Sequence, residues 1–291
     1  MGMKRLLHVA LAADDRYVRP LGVTMASVLC NRDGEDIRFH VLDDGISPAG
    51  RKRLRDEAES FGSSVSFLPV NAAVFDALDL RILADHHVTR AAYCRLLLPS
   101  LLPEDRCLYM DCDMICRSGL GALWDMDLGS CAVAAVRDID EDVHCARLGL
   151  DRYFNSGLLL MDLAAMRREH LQERFLRFIA ERADSIVMHD QDVLNVVLGE
   201  RIRALDMTWN CQLNRTRKCR TSGFHALRRT ANILHSSAAE SPGSGAATRH
   251  AVANTGSTCR RRPGRNPFFP PCCTPCDSPA SDPSAFRLHT A

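Results

Sequence analysis

Short apolar runs alternate with longer amphipathic segments through the first two thirds of the chain. The apolar runs that predict strands are 6–12, 37–42, 65–70, 106–110, 131–136, 158–161 and 231–235. The segments that predict helices are 21–30, 48–61, 90–98, 172–182 and 189–198. Such alternation is typical of a mainly parallel central sheet flanked by helices, so the sequence predicts a single α/β domain.

The composition changes abruptly near Ser236. Residues 237–291 are rich in serine, proline, glycine and alanine, and they show neither helical nor strand periodicity. Segments of this kind bury too little apolar surface to offset the entropy lost on folding. We therefore expect a folded catalytic domain over residues 1–236 and a disordered low-complexity tail over residues 237–291.

Charge and composition exclude several classes of protein. The formal net charge of +1 leaves no basic footprint of the kind that nucleic-acid binding requires. No apolar stretch reaches the ~20 residues of a membrane-spanning helix, and the first apolar run resembles a strand more than a signal peptide. We therefore expect a cytoplasmic protein whose 13 cysteines stay reduced, with room for peripheral contact at the inner face of the membrane.

Carboxylates follow several of the predicted strands at the point where each strand ends. Asp14 follows the first strand, Asp111 and Asp113 follow a buried central strand, and Asp138 follows a later one. Ligands of open α/β sheets bind at the carboxyl ends of the strands. Two carboxylates this close to a buried strand favour a hard divalent cation, Mn²⁺ or Mg²⁺, although an aspartate-rich solvated turn has the same sequence.

The order of several sequence blocks resembles the family-8 retaining glycosyltransferases, the group of bacterial lipopolysaccharide galactosyl- and glucosyltransferases. The blocks are FHVLDDGIS, LYMDCD, LWDMDLG, YFNSGLLLMDL and HDQDVLN, and the resemblance runs over residues 6–235. It implies a GT-A fold and transfer of a hexose from a UDP-sugar to an acceptor glycan. Lipopolysaccharide core is the acceptor that the family association suggests.

The resemblance also implies roles for residues near the first strand. Ala12, Ala13 and Asp14 match the segment that holds the uridine, and Tyr17 matches the residue that packs on the base. Arg16 departs from the family's usual asparagine, which weakens the match at the nucleotide.

Further residues match the family's sites for the donor sugar and the acceptor. Arg95 and Asp190 match catalytic residues that also contact the donor, and Gln191 matches the residue beneath the anomeric carbon. An amide is a poor nucleophile, so the resemblance implies a front-face mechanism in which the departing phosphate oxygen accepts the acceptor's proton. The other residues of the implied donor site are Cys112, Asp138, Asn155 and Ser156. His87 matches an acceptor contact, although a solvated surface histidine explains it equally well.

The resemblance implies three metal ligands, Asp111, Asp113 and His235. In the family this histidine opens a motif whose lysine neutralises the diphosphate, and that lysine and the following tryptophan are missing here. Codons compatible with Ser237 and the residues after it, read two bases later, give Ser-Gly-Arg-Lys-Pro-Trp-Gln. We therefore hypothesise a frameshift close to Ser236, which makes the tail out-of-frame polypeptide.

Two alternatives remain open. The missing lysine allows a catalytically impaired protein that binds UDP-sugars without turning them over efficiently. A sugar-1-phosphate nucleotidyltransferase shares the alternation of strands and helices and the paired aspartates. That class needs an early glycine-rich phosphate loop, and no such loop follows the first predicted strand.

Overall fold

The computed structural model describes residues 5–70, 90–213 and 222–236. His87 and the predicted tail, residues 237–291, lie outside these ranges. The strands within them are β1 (Leu6–Ala13), β2 (Asp36–Asp43), β3 (Ser64–Pro69), β4 (Arg106–Met110), β5 (Met114–Cys116), β6 (Val133–Arg137), β7 (Phe154–Asp162), β8 (Ile202–Leu205), β9 (Cys211–Gln212) and β10 (Ile233–His235).

The α-helices are α1 (Val18–Asn31), α2 (Pro48–Ser60), α3 (Ala91–Cys94), α4 (Leu98–Leu101), α5 (Gly121–Trp124), α6 (Glu141–Leu148), α7 (Leu163–Arg168), α8 (Leu171–Arg182), α9 (His189–Leu198) and α10 (Ser222–Thr230). Short 3-10 turns lie at Asp15–Tyr17, Arg95–Leu97, Ala183–Ser185, Gly199–Arg201 and Met207–Trp209. None of the helices in the described ranges is long and apolar enough to cross a membrane.

Seven strands form the central sheet in the order β3-β2-β1-β4-β7-β6-β8. Strand β7 runs antiparallel to both of its neighbours, and the other pairings are parallel. The prediction of a mainly parallel α/β sheet is therefore confirmed. Strands β5, β10 and β9 form a second, small sheet beside the carboxyl end of β4.

Side chains that alternate along the strands supply two cores, one on each face of the central sheet. Leu7, Val9 and Leu11 of β1 pack toward α1 and α2, whereas Ala10 and Ala12 pack toward α3, α4, α7, α8 and α9. This alternation is what a strand buried on both faces requires.

Local sequence signals account for some helix boundaries and correct others. Ser47 caps α2 as predicted, because its hydroxyl accepts a hydrogen bond from the Gly50 N–H. The segment predicted as one helix over 90–98 is instead α3, a 3-10 turn and α4. Pro99 has no N–H to offer the Arg95 carbonyl, which accepts from Leu98 instead, and this tightens the turn.

Strand β7 begins at Phe154, four residues earlier than the apolar run predicted. Asn155, Ser156 and Gly157 favour turns in isolation, but pairing with β6 and buried hydrogen bonds hold them extended. Since β7 is antiparallel, its first residues lie beside the carboxyl end of β4, where Asp111 follows.

Candidate active site

Asp111 lies directly after β4 and is held by backbone and side chains together. Its N–H donates to the Gly157 carbonyl at 2.8 Å. Its Oδ1 accepts from the Tyr109 hydroxyl at 3.0 Å and from Arg95 Nη2 at 2.9 Å. With Oδ1 occupied in this way, Oδ2 is the oxygen available to a further ligand.

His235 ends β10 and faces both aspartates of the loop after β4. Its Nε2 lies 3.7 Å from Asp111 Oδ2 and 3.4 Å from Asp113 Oδ1. One ligand atom from each of the three residues falls within 4.8 Å of the other two. The Ser236 N–H donates to the Asp113 carbonyl at 3.1 Å, which ties the end of β10 to the same loop.

The tautomer of His235 follows from its neighbour Asn210, which is fully buried. Asn210 Nδ2 donates to Asn155 Oδ1 at 2.8 Å, so its own Oδ1 is the atom 3.0 Å from His235 Nδ1. An amide oxygen accepts, so Nδ1 carries a proton, and Nε2 is the ring nitrogen that faces Asp111 and Asp113. This arrangement is typical of a metal-binding histidine oriented by a second residue.

The space between these ligands depends on Gly157. A methyl group at Gly157 would lie 2.5 Å from His235 Cε1 and 2.8 Å from Asp111 Oδ2. A side chain there would therefore displace two of the three candidate ligands. Two carboxylates and one imidazole fit Mn²⁺ or Mg²⁺ by the chemistry of their donor atoms.

Arg95 is buried between two carboxylates. Its Nη2 contacts Asp111, and its Nε lies 3.1 Å from Asp190 Oδ2. The Nε hydrogen, however, goes to the Ala92 carbonyl at 2.8 Å, so Asp190 Oδ2 is a buried acceptor that receives no hydrogen bond. Burial raises the pKa of Asp190 to about 6 despite the opposing charge of Arg95.

Burial likewise raises the pKa of Asp111, although Arg95 and His235 oppose the shift. Burial works in the other direction on His235, but Asp113 and Asp111 outweigh it and raise the pKa of the imidazole. Each shift therefore reflects the balance between withdrawal from water and the charges of the neighbouring groups.

Three buried side chains form a hydrogen-bonded cluster next to Asp190. Asp138 Oδ2 accepts from Asn155 Nδ2 at 3.2 Å and from Gln191 Nε2 at 3.1 Å. Gln191 Oε1 accepts from Asn155 Nδ2 at 3.2 Å and from the Ser156 N–H at 3.1 Å. The amide of Gln191 therefore has both lone pairs of its oxygen occupied.

The first turn of α9 contains two buried aspartates, Asp190 and Asp192, that make different contacts. Asp192 Oδ2, not Asp190, accepts from the Val187 and Met188 N–H groups at 2.8 and 2.9 Å. Asp192 also accepts from the Tyr153 hydroxyl at 2.6 Å. Asp192, rather than Asp190, therefore makes these capping contacts.

The carboxyl end of β1 differs from the rest of the site. Ala12 and Ala13 are buried at the end of β1. Asp14, however, accepts from the Arg16 N–H at 2.9 Å and pairs with the Arg16 guanidinium at 2.7 Å. Tyr17 is half-buried, and burial together with the charges of Cys112 and Asp113 raises the pKa of its hydroxyl.

The structure brings most of the candidate site residues to one edge of the sheet. The contacts given above join three sets of residues. These are the candidate metal ligands Asp111, Asp113 and His235, the ion pair of Arg95 and Asp190, and the cluster of Asp138, Asn155, Ser156 and Gln191. Sequence reasoning missed Asn210, Tyr109 and Gly157. Tyr109 lies on the same face of β4 as Cys107, two residues before Asp111, so its contact with Asp111 could have been inferred. No sequence pattern around Asn210 indicates its contact with His235.

Comparison with known proteins places this arrangement in a family. The sequence model of glycosyl transferase family 8 matches residues 8–240. The chain belongs to glycosyl transferase family 8. The predicted resemblance is therefore confirmed, and with it the expectation of a glycosyltransferase that uses a sugar donor and a glycan acceptor.

Individual relatives of this family-8 chain cover most of its length. General stress protein A of Bacillus subtilis (strain 168) is 31% identical over 258 residues, which is 83% of this chain and 89% of that protein. The lipopolysaccharide 1,2-glucosyltransferase of Escherichia coli (strain K12) is 27% identical over 200 residues, 66% of this chain and 58% of that protein.

A solved structure supports the fold. The galactosyltransferase LgtC, in complex with donor and acceptor sugar analogues, superposes with a TM-score of 0.72 at 26% identity. The match covers 85% of this chain and 96% of LgtC. The GT-A fold predicted from the sequence is thereby confirmed.

Proposed function

We propose that the chain is a retaining hexosyltransferase that moves galactose or glucose from a UDP-sugar to an acceptor glycan. Asp111, Asp113 and His235 hold Mn²⁺ or Mg²⁺ in this proposal. The observation that carries it is the convergence of His235 Nε2 with Asp111 Oδ2 at 3.7 Å and Asp113 Oδ1 at 3.4 Å. When bound, the ion offsets the charge that develops on the departing diphosphate.

The groups beside the ligands are suited to a sugar. Asp190 Oδ2 is buried and receives no hydrogen bond, so it can accept one from a donor-sugar hydroxyl. Asp138 and Asn155 supply further polar atoms in the same buried cluster. Arg95 keeps Asp111 and Asp190 at fixed positions and offsets their charge.

The contacts of Gln191 favour a front-face mechanism. A displacement through Gln191 would need a free lone pair on Oε1, and both are engaged by Asn155 and Ser156. The cluster instead supplies fixed negative and dipolar groups beneath a transient oxocarbenium ion. The departing phosphate oxygen then accepts the proton of the acceptor hydroxyl on the same face, which retains the anomeric configuration.

The acceptor and location are proposed on family grounds. The lipopolysaccharide 1,2-glucosyltransferase of Escherichia coli is among the relatives, so we propose a glycan or glycolipid acceptor of the lipopolysaccharide-core type. Such an acceptor places the enzyme in the cytoplasm, at the inner face of the membrane. Sequence similarity alone supports this step, since acceptor choice depends on local pocket residues.

The test is UDP release from UDP-galactose and UDP-glucose by the purified full chain, with and without Mn²⁺. Asp111→Asn and Asp113→Asn are expected to lose most of the metal-dependent release. Asp105→Asn, at a side chain that is 86% exposed, is the matched control and should keep full activity. Release that persists in a chelator would contradict the proposed metal site.

The second candidate, an impaired UDP-sugar binder, is favoured by one observation. The lysine and tryptophan of the family motif do not follow His235. This candidate predicts metal-dependent UDP binding without appreciable turnover. Measuring UDP affinity by calorimetry beside the release assay separates the two, because the leading proposal requires both signals. The family assignment favours glycosyl transfer over the nucleotidyltransferase alternative.

A further inference from the structure

A second group of metal-ligating side chains lies at the opposite end of the sheet. His8 is near the start of β1, His40 is on the same face of β2, and Glu104 precedes β4. The active-site residues follow the carboxyl ends of β1 and β4, so this group is separate from them. None of the roles proposed above uses it.

The ligand atoms of the group converge. His8 Nδ1 lies 3.0 Å from His40 Nε2 and 3.5 Å from Glu104 Oε1. A tetrahedral Zn²⁺ with Zn–N bonds of about 2.0–2.1 Å separates its ligand atoms by roughly 3.3 Å. The two observed distances lie on either side of that value.

Ser66 directs the lone pair of His40 toward His8. The Ser66 hydroxyl donates to the Phe39 carbonyl at 3.3 Å, which leaves its oxygen to accept from His40 Nδ1–H at 2.9 Å. The lone pair of His40 therefore sits on Nε2. Metals bind the neutral form of imidazole, so this nitrogen is the one that His40 offers to an ion.

Glu104 is held in place but lacks a hydrogen bond on one oxygen. Arg167 Nη2 donates to the Glu104 carbonyl at 3.1 Å, which fixes the loop before β4. Glu104 Oε2 is inaccessible to solvent and accepts no hydrogen bond. A buried carboxylate oxygen without a donor requires an explanation, and a cation supplies one.

We propose that His8, His40 and Glu104 form a binding site for one Zn²⁺ ion, distinct from the Asp111–Asp113–His235 site. Two imidazoles and one carboxylate are an ordinary zinc ligand set, with a fourth position left for water or the second oxygen of Glu104. The side chains of His8 and Glu104 are 13% and 22% exposed, which gives the ion a path from solvent. The proposal does not depend on the proposed function.

A hydrogen bond between the two histidines is the competing explanation of the 3.0 Å contact. In that case His8 Nδ1–H donates to His40 Nε2, and Glu104 takes no part. The two explanations differ in whether replacing Glu104 changes metal affinity. The test is therefore a comparison of metal affinity with and without the Glu104 carboxylate.

Trp124 supplies a local reporter, because its ring centre lies 6.3 Å from that of His8. The chain has 2 tryptophans, so in a full-length Trp209→Phe, Asp113→Asn background Trp124 is the one that remains and the active-site ligands are weakened. Stoichiometric Co²⁺ should quench its fluorescence, and Zn²⁺ should reverse the quenching by competition. The Co²⁺ absorption should lack thiolate charge-transfer bands, which excludes cysteine ligands.

Glu104→Gln and His40→Gln should each weaken Co²⁺ and Zn²⁺ binding by at least about 100-fold, more than the ~10–100-fold typical of a lost outer-shell partner. His170→Gln, at a histidine that is 78% exposed, is the control and should change nothing. Circular dichroism verifies folding of every variant. Absence of quenching at stoichiometric Co²⁺, or quenching that survives Glu104→Gln, would leave only the hydrogen-bonded histidine pair and overturn the proposal.

Discussion

The candidate active site has two halves, a proposed metal and sugar half around Asp111 and a proposed nucleotide half around Asp14. They differ in how their carboxylates are held. Around the proposed metal ligands, the Asp111 oxygen that does not face His235 is already paired with Tyr109 and Arg95. At the end of β1, by contrast, the Asp14 carboxylate is paired with Arg16 in its own turn, and Arg16 is 56% exposed.

The two halves therefore differ in how far their side chains already have the positions that ligand binding would require. In the proposed metal and sugar half, long-range contacts hold Asp111, Asn155 and Gln191 in place, so binding there should need little rearrangement. In the proposed nucleotide half, a local ion pair holds the carboxylate that we expect to accept from uracil, so we expect binding to rearrange that pair. We therefore expect substitutions in the first half to have large effects and substitutions in the second to have small ones.

The largest effect is expected at Asp190. Asp190→Asn should lower turnover of the UDP-sugar by about 10²- to 10³-fold, as does removal of one preorganised electrostatic group in other enzymes. UDP affinity should change little, since the side chain contacts Arg95 and faces the proposed sugar position. Equal losses in turnover and in UDP binding would show that Asp190 has a structural role. Asp105→Asn is again the exposed control.

The same variant has a pH signature in stability. The folded-state pKa of Asp190, about 6, lies above its ordinary value of 3.8, so the folded protein binds this proton more tightly than the unfolded chain does. The associated stabilisation is complete below pH 3.8 and is lost as the pH rises through about 6. Between about pH 4 and 7, wild type should therefore lose free energy of unfolding relative to Asp190→Asn, as measured by urea denaturation.

The next effect concerns the segment after Ser236. Restoring the shifted frame, which gives Ser-Gly-Arg-Lys-Pro-Trp, should raise turnover by about 10²-fold, because the lysine offsets charge on the departing diphosphate. A frame-restored chain with lysine replaced by methionine is the matched control and should remain slow. A restored chain no faster than the present one would contradict the frameshift hypothesis, and so would DNA sequence that lacks a shift near codon 236.

Asn210 tests whether preorganisation of the metal half depends on its outer contacts. Asn210→Ala should weaken Mn²⁺ affinity by about 10- to 100-fold, because it removes the acceptor that fixes the His235 tautomer. Asn210→Asp should retain most of the affinity, since a carboxylate also accepts from Nδ1–H. The measurement is free Mn²⁺ by electron paramagnetic resonance. A purely structural asparagine would lower the melting temperature of both variants without separating their Mn²⁺ affinities.

Asn31→Ala provides the control for that comparison. Asn31 Nδ2 donates to the Ser27 and Cys116 carbonyls, and Cys116 is paired with Ile233 in the same small sheet as His235. Its loss should therefore loosen this sheet without removing a hydrogen bond of His235. An equal loss of Mn²⁺ affinity in Asn31→Ala would mean that general loosening, and not the His235 contact, weakens the site.

The sequence predicted the elements whose formation depends on residues close together along the chain. The apolar run that became β4 and the helix over 189–198 were predicted with the bounds that the structure shows. The start of β7 was not, because Asn155 and Gly157 favour turns locally and are held extended by partners on β4, β6 and α9.

Candidate site residues were likewise identified where they belong to a local sequence pattern and missed where they do not. Asp111 and Asp113 stand two residues apart in a recognisable block, and the family resemblance identified His235 at the end of a predicted strand. Asn210 contacts His235 and Asn155, which are 25 and 55 residues away along the chain. Such a contact is created by packing of the small sheet against the large one, and no local pattern signals it. The roles assigned to all of these residues stay predictions.

The smallest effect is expected at the nucleotide half, from Arg16→Asn. Removing the guanidinium frees Asp14 to accept from uracil and should raise UDP affinity by at most about fivefold, because an exposed ion pair contributes only about 0–1 kcal/mol. Arg19→Asn, at an exposed arginine of α1, removes the same charge without touching Asp14 and controls for long-range electrostatics. Calorimetry with UDP and Mn²⁺ measures both variants. A loss of affinity in Arg16→Asn alone would reverse the comparison, because it would mean that Arg16 itself contacts the nucleotide and that this half is preorganised as well.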